Sequence, residues 1–266
     1  MVKVVMKNIG ESFKNKGNEI IFTGDLCPKE NFEEVFTTGS TSLIYGRFLD
    51  ILKNKRLSIT NIECPITDSE NTEIGKHGKR NKAIPSVING IKKGFFDVAS
   101  VANNHILDYG VQGLNDTVKT LQENSITPIG YKATYKEKQN IFYKEIDGYT
   151  IAILTYAEEE FNTAGYDYAG ANKLDLIDIH HELKIARDNA DYIIIYFHGG
   201  NEHYNLPNPR LKRICHYMVD NGADLVVGSH PHCPGGYEIY KNKPIFYSLG
   251  NFIFPRQKHY KYPLWH

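Results

Sequence analysis

Three histidines lie just beyond two apolar runs, where their imidazole nitrogens could bind a metal. His198 comes directly after the run Tyr192–Phe197. His230 and His232 come shortly after the run Asp224–Val227. Neutral imidazole is a common ligand of zinc, iron and manganese, and α/β proteins bind ligands where their strands end. The three imidazoles are therefore candidate metal ligands.

Oxygen donors follow three earlier apolar runs in the same way. Asp25 follows the run Ile20–Thr23, and Glu63 follows the run Leu57–Asn61. Asn103-Asn104-His105 follows the run Asp97–Ala102. One Asp after a strand is typically a helix cap or a turn residue, and one buried histidine is typically a core residue. Five such endings at the same edge are not explained by capping, because caps do not need histidine. We therefore predict that these groups form one metal site.

The mixture of donors indicates which metal and which chemistry to expect. Carboxylate and amide oxygens together with imidazole nitrogens suit manganese, iron or zinc, and argue against a Cys-rich structural zinc site. Two cations about 3.5–4 Å apart would stabilise the attacking and leaving oxygens of a hydrolysed ester. We expect one or two divalent ions and a hydrolytic reaction.

Strands and helices alternate along the chain, which predicts an α/β fold. Near-continuous apolar runs predict buried strands at Ile20–Thr23, Leu57–Asn61, Asp97–Ala102, Ile141–Ile146, Thr150–Tyr156, Tyr192–Phe197 and Leu225–Val227. Helical patterns and termini predict helices at Ser42–Lys53, Ser86–Lys93, Val111–Asn124, Leu176–Asn189 and Pro209–Asn221. Hairpins are predicted around Asp147-Gly148 and Lys241-Asn-Lys243.

Composition excludes several classes of partner. The 266 residues include 31 basic and 31 acidic side chains, so no general attraction to nucleic acid or anionic membrane is expected. No apolar run approaches the ~18 residues of a membrane span, and Met1–Lys7 lacks the apolar region of a signal peptide. We expect a cytoplasmic protein, or an envelope-associated one if an anchor has been removed.

Four cysteines show no CxxC spacing and are typical of reduced thiols. Cys27 and Cys64 lie close to Asp25 and Glu63 in sequence, so either could approach a metal. Burial in the core is the favoured interpretation, because free cysteine behaves as a small apolar residue.

Two polar segments, 64–84 and 157–173, are predicted to be long loops that form lids or substrate walls. Arg80 and Lys82 in the first loop could meet an anionic substrate, although charged loop residues are usually solvated. No internal repeat divides the chain, so we predict a single domain over residues 1–266. Pro255–His266 has no terminating helix, and we expect that a short C-terminal portion is missing.

Five strings resemble, in order, motifs of the bacterial capsule synthesis protein CapA family, which is associated with poly-γ-glutamate capsule biosynthesis. They are Thr60-Asn-Ile-Glu63, Val101–Gly110, His198-Gly-Gly-Asn-Glu202, Gly222–Gly228 with His230-Pro-His232, and Tyr247-Ser-Leu-Gly-Asn-Phe252. The resemblance runs from about residue 19 to 254. The family is similar to calcineurin-like metallophosphatases, which implies a four-layer α/β/β/α sandwich of two mixed sheets flanked by helices.

The resemblance also implies a role for each motif residue. The implied metal ligands are Asp25, Glu63 at the bridging position, Asn104, His198, His230 and His232. His105 matches the histidine that contacts substrate or acts as general acid. Asn103, Asp108 and Asn251 are interpreted as residues that contact substrate or hold a metal ligand in place. Glu202 lies in the loop just past His198, where it could contact substrate or be a solvated loop residue. For Asp108 a helix cap is the favoured interpretation and a bond to His105 is the alternative. Asn251 is expected to fix a turn near the metals, with direct ligation as the alternative.

Two positions depart from the wider superfamily. The first motif of that superfamily is Asp-x-His, whereas this chain has Asp25-Leu-Cys27. The third motif carries an acidic residue after Asn-His, whereas here Ile106 follows. The missing histidine predicts one tightly bound metal with a second, weaker one.

The resemblance supports two functions. The first is a metal-dependent hydrolase of a phosphoester or related bond, acting on a small-molecule or polymer-precursor substrate. The alternative is a non-catalytic accessory component that binds capsule synthase or export partners, because a fold does not settle chemistry.

Overall fold

The computed structural model describes residues 2–5, 19–72, 76, 78–137 and 141–255. Most of the C-terminal segment Pro255–His266, on which the expectation of a missing portion rests, lies outside the described residues.

The strands are β1 (Val2–Val5), β2 (Glu19–Leu26), β3 (Leu57–Ile62), β4 (Val98–Ser100), β5 (Thr127–Ile129), β6 (Tyr131–Lys132), β7 (Phe142–Ile146), β8 (Tyr149–Ala157), β9 (Gly170–Ala171), β10 (Tyr192–His198), β11 (Leu225–Ser229), β12 (Tyr237–Tyr240), β13 (Lys243–Phe246) and β14 (Asn251–Ile253). The helices are α1 (Glu33–Thr38), α2 (Thr41–Ile44), α3 (Phe48–Lys53), α4 (Ile88–Lys92), α5 (Gly110–Glu123), α6 (Leu176–Asn189) and α7 (Pro209–Asp220). Short 3-10 turns precede α1 and α4, at Glu30–Phe32 and Pro85–Val87.

These strands form two large mixed sheets. The first has the order β1-β2-β3-β4-β5, with β14 also paired to β2, and its strands β2 to β5 are parallel. The second has the order β12-β13-β11-β10-β8-β7, with a parallel centre and an antiparallel strand at each edge. The small pair β6-β9 lies apart from both sheets.

Alternating side chains on the central strands divide the core into layers. Ile20 and Phe22 of β2 pack between the sheets, whereas Ile21 faces the helices α1 to α5. On β10, Ile194 faces the other sheet and Ile195 faces α6 and α7. A strand buried on both faces needs apolar residues at every position, which is why these runs read as continuous in the sequence. The predicted four-layer α/β/β/α sandwich is confirmed.

Both predicted hairpins are confirmed, and both central residues of each turn have positive φ. Asp147 and Gly148 have φ of 50° and 83°, and Lys241 and Asn242 have φ of 48° and 63°. Two consecutive positive values are typical of the turn that follows the twist of antiparallel strands.

One predicted helix is two helices in the structure, and several short strands were not predicted. The single helix predicted at 42–53 is two helices, α2 and α3, because Gly46 between them adopts φ of 50°. The strands β5, β6, β9 and β14 have two or three residues each, which is too short for a periodic pattern.

A close approach of two glycines aligns β2 with β14. A Cβ on Gly24 would lie 1.7 Å from the carbonyl oxygen of Gly250, so only glycine fits there. This contact lets the backbone N–H of Asp25 donate a 3.0 Å hydrogen bond to the same oxygen. The pairing therefore fixes the position of Asp25 at the end of β2.

Candidate metal centre

The predicted ligands meet between the two sheets rather than at the edge of one sheet. Asp25 lies in β2, Glu63 directly follows β3, and Asn104 follows β4. In the second sheet His198 ends β10, and both His230 and His232 follow β11. The interpretation of a site at one sheet edge is corrected, because the first sheet supplies every oxygen donor and the second every nitrogen donor.

One group of donors surrounds Nε2 of His198 and is called the His198 group. This nitrogen lies 3.1 Å from Oδ1 of Asn104, 3.1 Å from Nδ1 of His230 and 3.8 Å from Oε1 of Glu63. Donor atoms held about 2.1 Å from one tetrahedral cation are about 3.4 Å apart. The spacing of the four donors therefore fits a single metal ion.

A second group consists of Asp25, Glu63 and His232, and is called the His232 group. Its donor atoms all lie within 4.8 Å of one another, and Nε2 of His232 is 3.6 Å from Oε1 of Glu63. Glu63 belongs to both groups. A shared carboxylate is what a pair of neighbouring cations needs, so the geometry fits two positions bridged by Glu63.

The carboxylate of Glu63 shows that the site suits a cation. The side chain is fully buried, and among the described residues neither of its oxygens has a hydrogen-bond partner. Burial raises the pKa of Glu63 well above its ordinary value, and the negative charge of Asp25 raises it further. A buried carboxylate that accepts no hydrogen bond is costly unless a cation compensates its charge. The residues present therefore fit a divalent metal.

Asp25 has partners that keep it ionised. Burial favours its neutral form, but a hydrogen bond and the charge of His198, the charge of His232 and a bond from Asn61 outweigh burial and lower its pKa. Nδ2 of Asn61 donates to Oδ1 at 2.7 Å, and the backbone N–H of His230 donates to Oδ2 at 3.0 Å. Asp25 is thus held as a carboxylate whose orientation is fixed.

The second ring nitrogens of His198 and His232, which do not face Glu63, have polar neighbours of their own. Nδ1 of His198 lies 3.1 Å from Oγ of Ser229, and Nδ1 of His232 lies 2.8 Å from Oδ1 of Asn251. Metal-binding histidines usually donate their other ring N–H to such acceptors, which fixes the tautomer. Backbone strain accompanies this arrangement, because His230 and His232 have φ of 99° and 58°.

His105 is held by Asp108, which corrects the favoured interpretation of Asp108 as a helix cap. Oδ2 of Asp108 lies 2.5 Å from Nδ1 of His105 and also accepts from the backbone N–H of Asn81. Helix α5 begins after Tyr109, and its N-cap has no side-chain hydrogen bond. Burial lowers the pKa of His105, against the opposing effect of Asp108. The alternative interpretation, an Asp108–His105 pair, describes the structure.

Other predicted residues lie outside the donor groups. Glu202 is exposed and pairs with His203 at 3.4 Å. Lys82 bonds Ser69 and Glu70, and no cysteine belongs to the metal-binding groups among the described residues. Cys27 and Cys64 are fully buried in the apolar cluster beneath α1 to α5, as favoured.

Asn103 lies behind the site, where it is fully buried and joins two motifs. Its Nδ2 donates to Oδ1 of Asn61 at 3.1 Å and to the carbonyl of Ile62 at 2.7 Å. Its Oδ1 accepts from the backbone N–H of His105 at 3.1 Å. The side chain therefore ties the strand that carries Glu63 to the loop that carries His105.

Four residues beside the donor groups or His105 were not predicted from the sequence: Asn61, Lys76, Glu160 and Asn162. Lys76 bonds Asp108, and its Nζ lies 3.1 Å from Nδ1 of His105, so the 64–84 loop brings a cationic side chain to the site. Asn61 stands inside the motif that ends at Glu63, which was a usable signal. The other three come from polar loops whose sequence carries no periodic pattern.

Comparison with known protein families shows to which family the chain belongs. The model of the family described as "Bacterial capsule synthesis protein PGA_cap" matches residues 19–256. The chain belongs to this family. It is 30% identical over 252 residues to the capsule biosynthesis protein CapA of Bacillus anthracis, covering 91% of this chain and 61% of that protein. It is 31% identical over 243 residues to the PGA biosynthesis protein CapA of Bacillus subtilis (strain 168), covering 88% and 62% respectively. The chain thus spans about three fifths of these relatives.

A solved structure supports the fold. A putative 5'-nucleotidase from Staphylococcus aureus, in complex with alpha-ketoglutarate, matches with a TM-score of 0.55 and 13% identity, covering 87% of this chain and 48% of that one. At this identity the likeness concerns the fold alone. None of the helices in the described part of the chain has the length and apolar character needed to cross a membrane.

Proposed function

We propose that this protein is a metal-dependent hydrolase that cleaves a phosphoester or a related bond in a precursor of a capsule or other exopolymer. One observation carries the proposal: the buried carboxylate of Glu63 has no hydrogen-bond partner among the described residues and is shared by two groups of imidazole and oxygen donors. Family membership supports the link with capsule polymers, poly-γ-glutamate or polysaccharide.

The described residues have two proposed roles: some bind the cations and one transfers a proton. Asn104, His198 and His230 would hold one ion, Asp25 and His232 the other, and Glu63 would contact both. When bound, divalent cations stabilise the negative charge that develops on the ester oxygens. We infer that the bound metal is manganese, iron or zinc, because the donors are a mixture of oxygen and nitrogen.

His105 is the candidate for proton transfer. Asp108 engages Nδ1, and Nε2 makes no hydrogen bond among the described residues, so Nε2 is the atom available to substrate. Asp108 fixes the ring orientation and stabilises its cationic form, as expected for a general acid or base. Lys76 pairs with Asp108, and its Nζ also lies 3.1 Å from Nδ1 of His105.

The direct test is a phosphoesterase assay on metal-stripped protein reloaded separately with Mn²⁺, Zn²⁺ and Fe²⁺. The panel contains p-nitrophenyl phosphate and bis(p-nitrophenyl) phosphate, so that both monoesters and diesters are covered. We expect turnover with at least one metal. Loss of a residue that only hydrogen-bonds a metal ligand typically lowers activity by about 10–100-fold. Glu63→Gln and His232→Ala remove ligands themselves, so each should reduce turnover by a larger factor.

Glu145→Gln is the matched control, because Glu145 is exposed on β7 and away from the donor groups. Its turnover should equal that of the unaltered protein. Metal-loaded protein without turnover on the whole panel would contradict the hydrolase proposal. Activity that survives His232→Ala unchanged would show that the assigned site is wrong.

A second candidate function is an accessory role in a capsule synthesis or export complex. It is favoured by Cys27, which is buried in the apolar cluster where metallophosphatases carry a histidine ligand. This function predicts a stable complex with synthase components when the tagged chain is recovered from its native host. Recovery of the chain alone, together with turnover in the assay above, would decide for the hydrolase.

A further inference from the structure

Residues 158–163 form a loop that is fastened to both sheets beside the donor groups. The backbone N–H of Glu158 donates to the carbonyl of His198 at 2.9 Å. Asn162, with 1% of its surface exposed, donates through Nδ2 to the carbonyl of Asn103 at 3.0 Å. Between these anchors, Oδ1 of Asn162 accepts from the backbone N–H of Glu160 at 2.9 Å. The loop therefore holds Glu160 in place through buried contacts.

The side chain of Glu160 faces two members of the His198 group. Oε2 lies 3.3 Å from Nδ2 of Asn104, which donates to it, and Oε1 lies 4.0 Å from Nε2 of His230. The side chain of Glu160 is 42% exposed, so it is not required for core packing. One carboxylate thus faces the outer atoms of two candidate ligands at once.

These contacts determine which atoms the two ligands turn inward. When Nδ2 of Asn104 donates to Glu160, Oδ1 is directed at His198, where it lies 3.1 Å from Nε2. When Nδ1 of His230 serves the donor group, Nε2 carries the ring proton and faces the carboxylate of Glu160. Outer carboxylates of this kind fix the ring tautomer and raise the basicity of the ligand.

We propose that Glu160 is a positioning residue that makes the His198 group the tighter of the two metal positions. The proposal rests on the proposed function in so far as that function requires metal. Among the described residues, the His198 group has four donors with the carboxylate of Glu160 behind two of them, whereas the His232 group has three donors. Cys27 adds no fourth donor to the His232 group, because it is fully buried among apolar residues.

Calorimetric titration of Mn²⁺ into the metal-stripped chain tests the proposal without any assay of activity. Glu160→Ala should weaken the tighter binding event by about 10–100-fold. Glu160→Gln should lie between, because it keeps an acceptor oxygen but loses the charge. Glu159→Ala is the matched control, since Glu159 is the adjacent residue and pairs with Lys173 instead of the donor groups.

Asn251→Ala assigns the binding events, because Asn251 faces His232 and should weaken the weaker event alone. Thermal unfolding of each metal-free variant checks that the fold is kept. The proposal is overturned if Glu160→Ala binds its first Mn²⁺ as Glu159→Ala does, or if only the weaker event changes. An unaltered chain that binds neither Mn²⁺ nor Zn²⁺ would overturn both proposals. Metal binding that depends on Glu160 without turnover would overturn the hydrolase function alone.

Discussion

Nδ2 of Asn61 donates a 2.7 Å hydrogen bond to Oδ1 of Asp25, across the neighbouring strands β3 and β2. The same Asn61 accepts from Nδ2 of Asn103 through its own Oδ1 at 3.1 Å. One buried amide therefore links the strand ends that carry Asp25, Glu63 and the Asn103 loop. The position of these donors therefore depends on a residue that belongs to neither donor group.

Asn61→Ala should lower the free energy of unfolding of the metal-free protein by about 1–3 kcal/mol, because it leaves buried polar partners unsatisfied. Urea unfolding followed by circular dichroism measures the difference. Asn189→Ala, at an exposed position near the end of α6, should change stability by less than about 0.5 kcal/mol. Equal effects of the two variants would show that the Asn61 network is not important for stability.

Gly24→Ala should disrupt the alignment of β2 with β14. The added Cβ would lie 1.7 Å from the carbonyl oxygen of Gly250, a backbone atom that cannot rotate away. We expect a stability loss at or beyond the about 1–3 kcal/mol of an overpacked core. A Cβ on Gly236 meets nothing within 4 Å, so Gly236→Ala is the control in the same thermal unfolding experiment. A Gly24→Ala protein as stable as this control would contradict the described strand pairing.

Asp224 gives a pH-dependent contribution to stability away from the donor groups. Burial raises its pKa, but hydrogen bonds from Lys243 and Arg187 outweigh burial and hold the pKa below its ordinary value. A depressed pKa in the folded state stabilises the protein above the unfolded pKa, and this stabilisation is lost as pH falls through the folded value. Asp224→Asn should therefore cost about 1–2 kcal/mol at pH 7, discounted for its partly exposed partners, and progressively less below pH about 4.

Unfolding by urea at pH 7, 5 and 3 measures this difference for Asp224→Asn. Asp188→Asn, an exposed change on α6 next to Arg187, is the control and should change stability at pH 7 by less than about 0.5 kcal/mol. A stability gap for Asp224→Asn that stays constant down to pH 3 would rule out the assigned ion pairs.

Asn251 should affect metal binding more than stability. Its Oδ1 lies 2.8 Å from Nδ1 of His232 and fixes which ring nitrogen faces Glu63. Asn251→Ala should weaken metal binding at the His232 group by about 10–100-fold, and Asn251→Asp should retain most of the affinity because it keeps an acceptor. Competition with a fluorescent zinc chelator measures both. An Asp variant as weak as the Ala variant would mean that the oxygen contact with His232 is not what matters.

Most of the central strands could be predicted from the sequence because they are buried on both faces. Runs such as Tyr192–Phe197 are apolar at every position, and each polar residue that ends a run is conspicuous. This is why Asp25, Glu63 and His198 could be placed together from the sequence alone. The sandwich itself came from the resemblance to a known family, since periodicity alone does not distinguish one sheet from two.

The parts that escaped prediction depend on long-range packing. Glu160 and Lys76 lie in polar loops, and only the folded chain brings them to Asn104 and His105. Asp108 looked like a helix cap because it precedes α5 by two residues, yet its carboxylate turns back to His105. Local spacing cannot show where a side chain turns when its partners lie elsewhere in the chain.

We propose that the buried carboxylate of Glu63 holds divalent cations together with the surrounding imidazoles and oxygens. The most direct measurement is the metal content of the protein by inductively coupled plasma mass spectrometry, after loading with Mn²⁺, Zn²⁺ or Fe²⁺ and removal of free metal. We expect between about one and two ions per chain for the unaltered protein and a large loss for Glu63→Gln, whose fold is checked by circular dichroism. Absence of stoichiometric metal under all three conditions, or equal metal content in the folded Glu63→Gln protein, would show that Glu63 does not hold a cation.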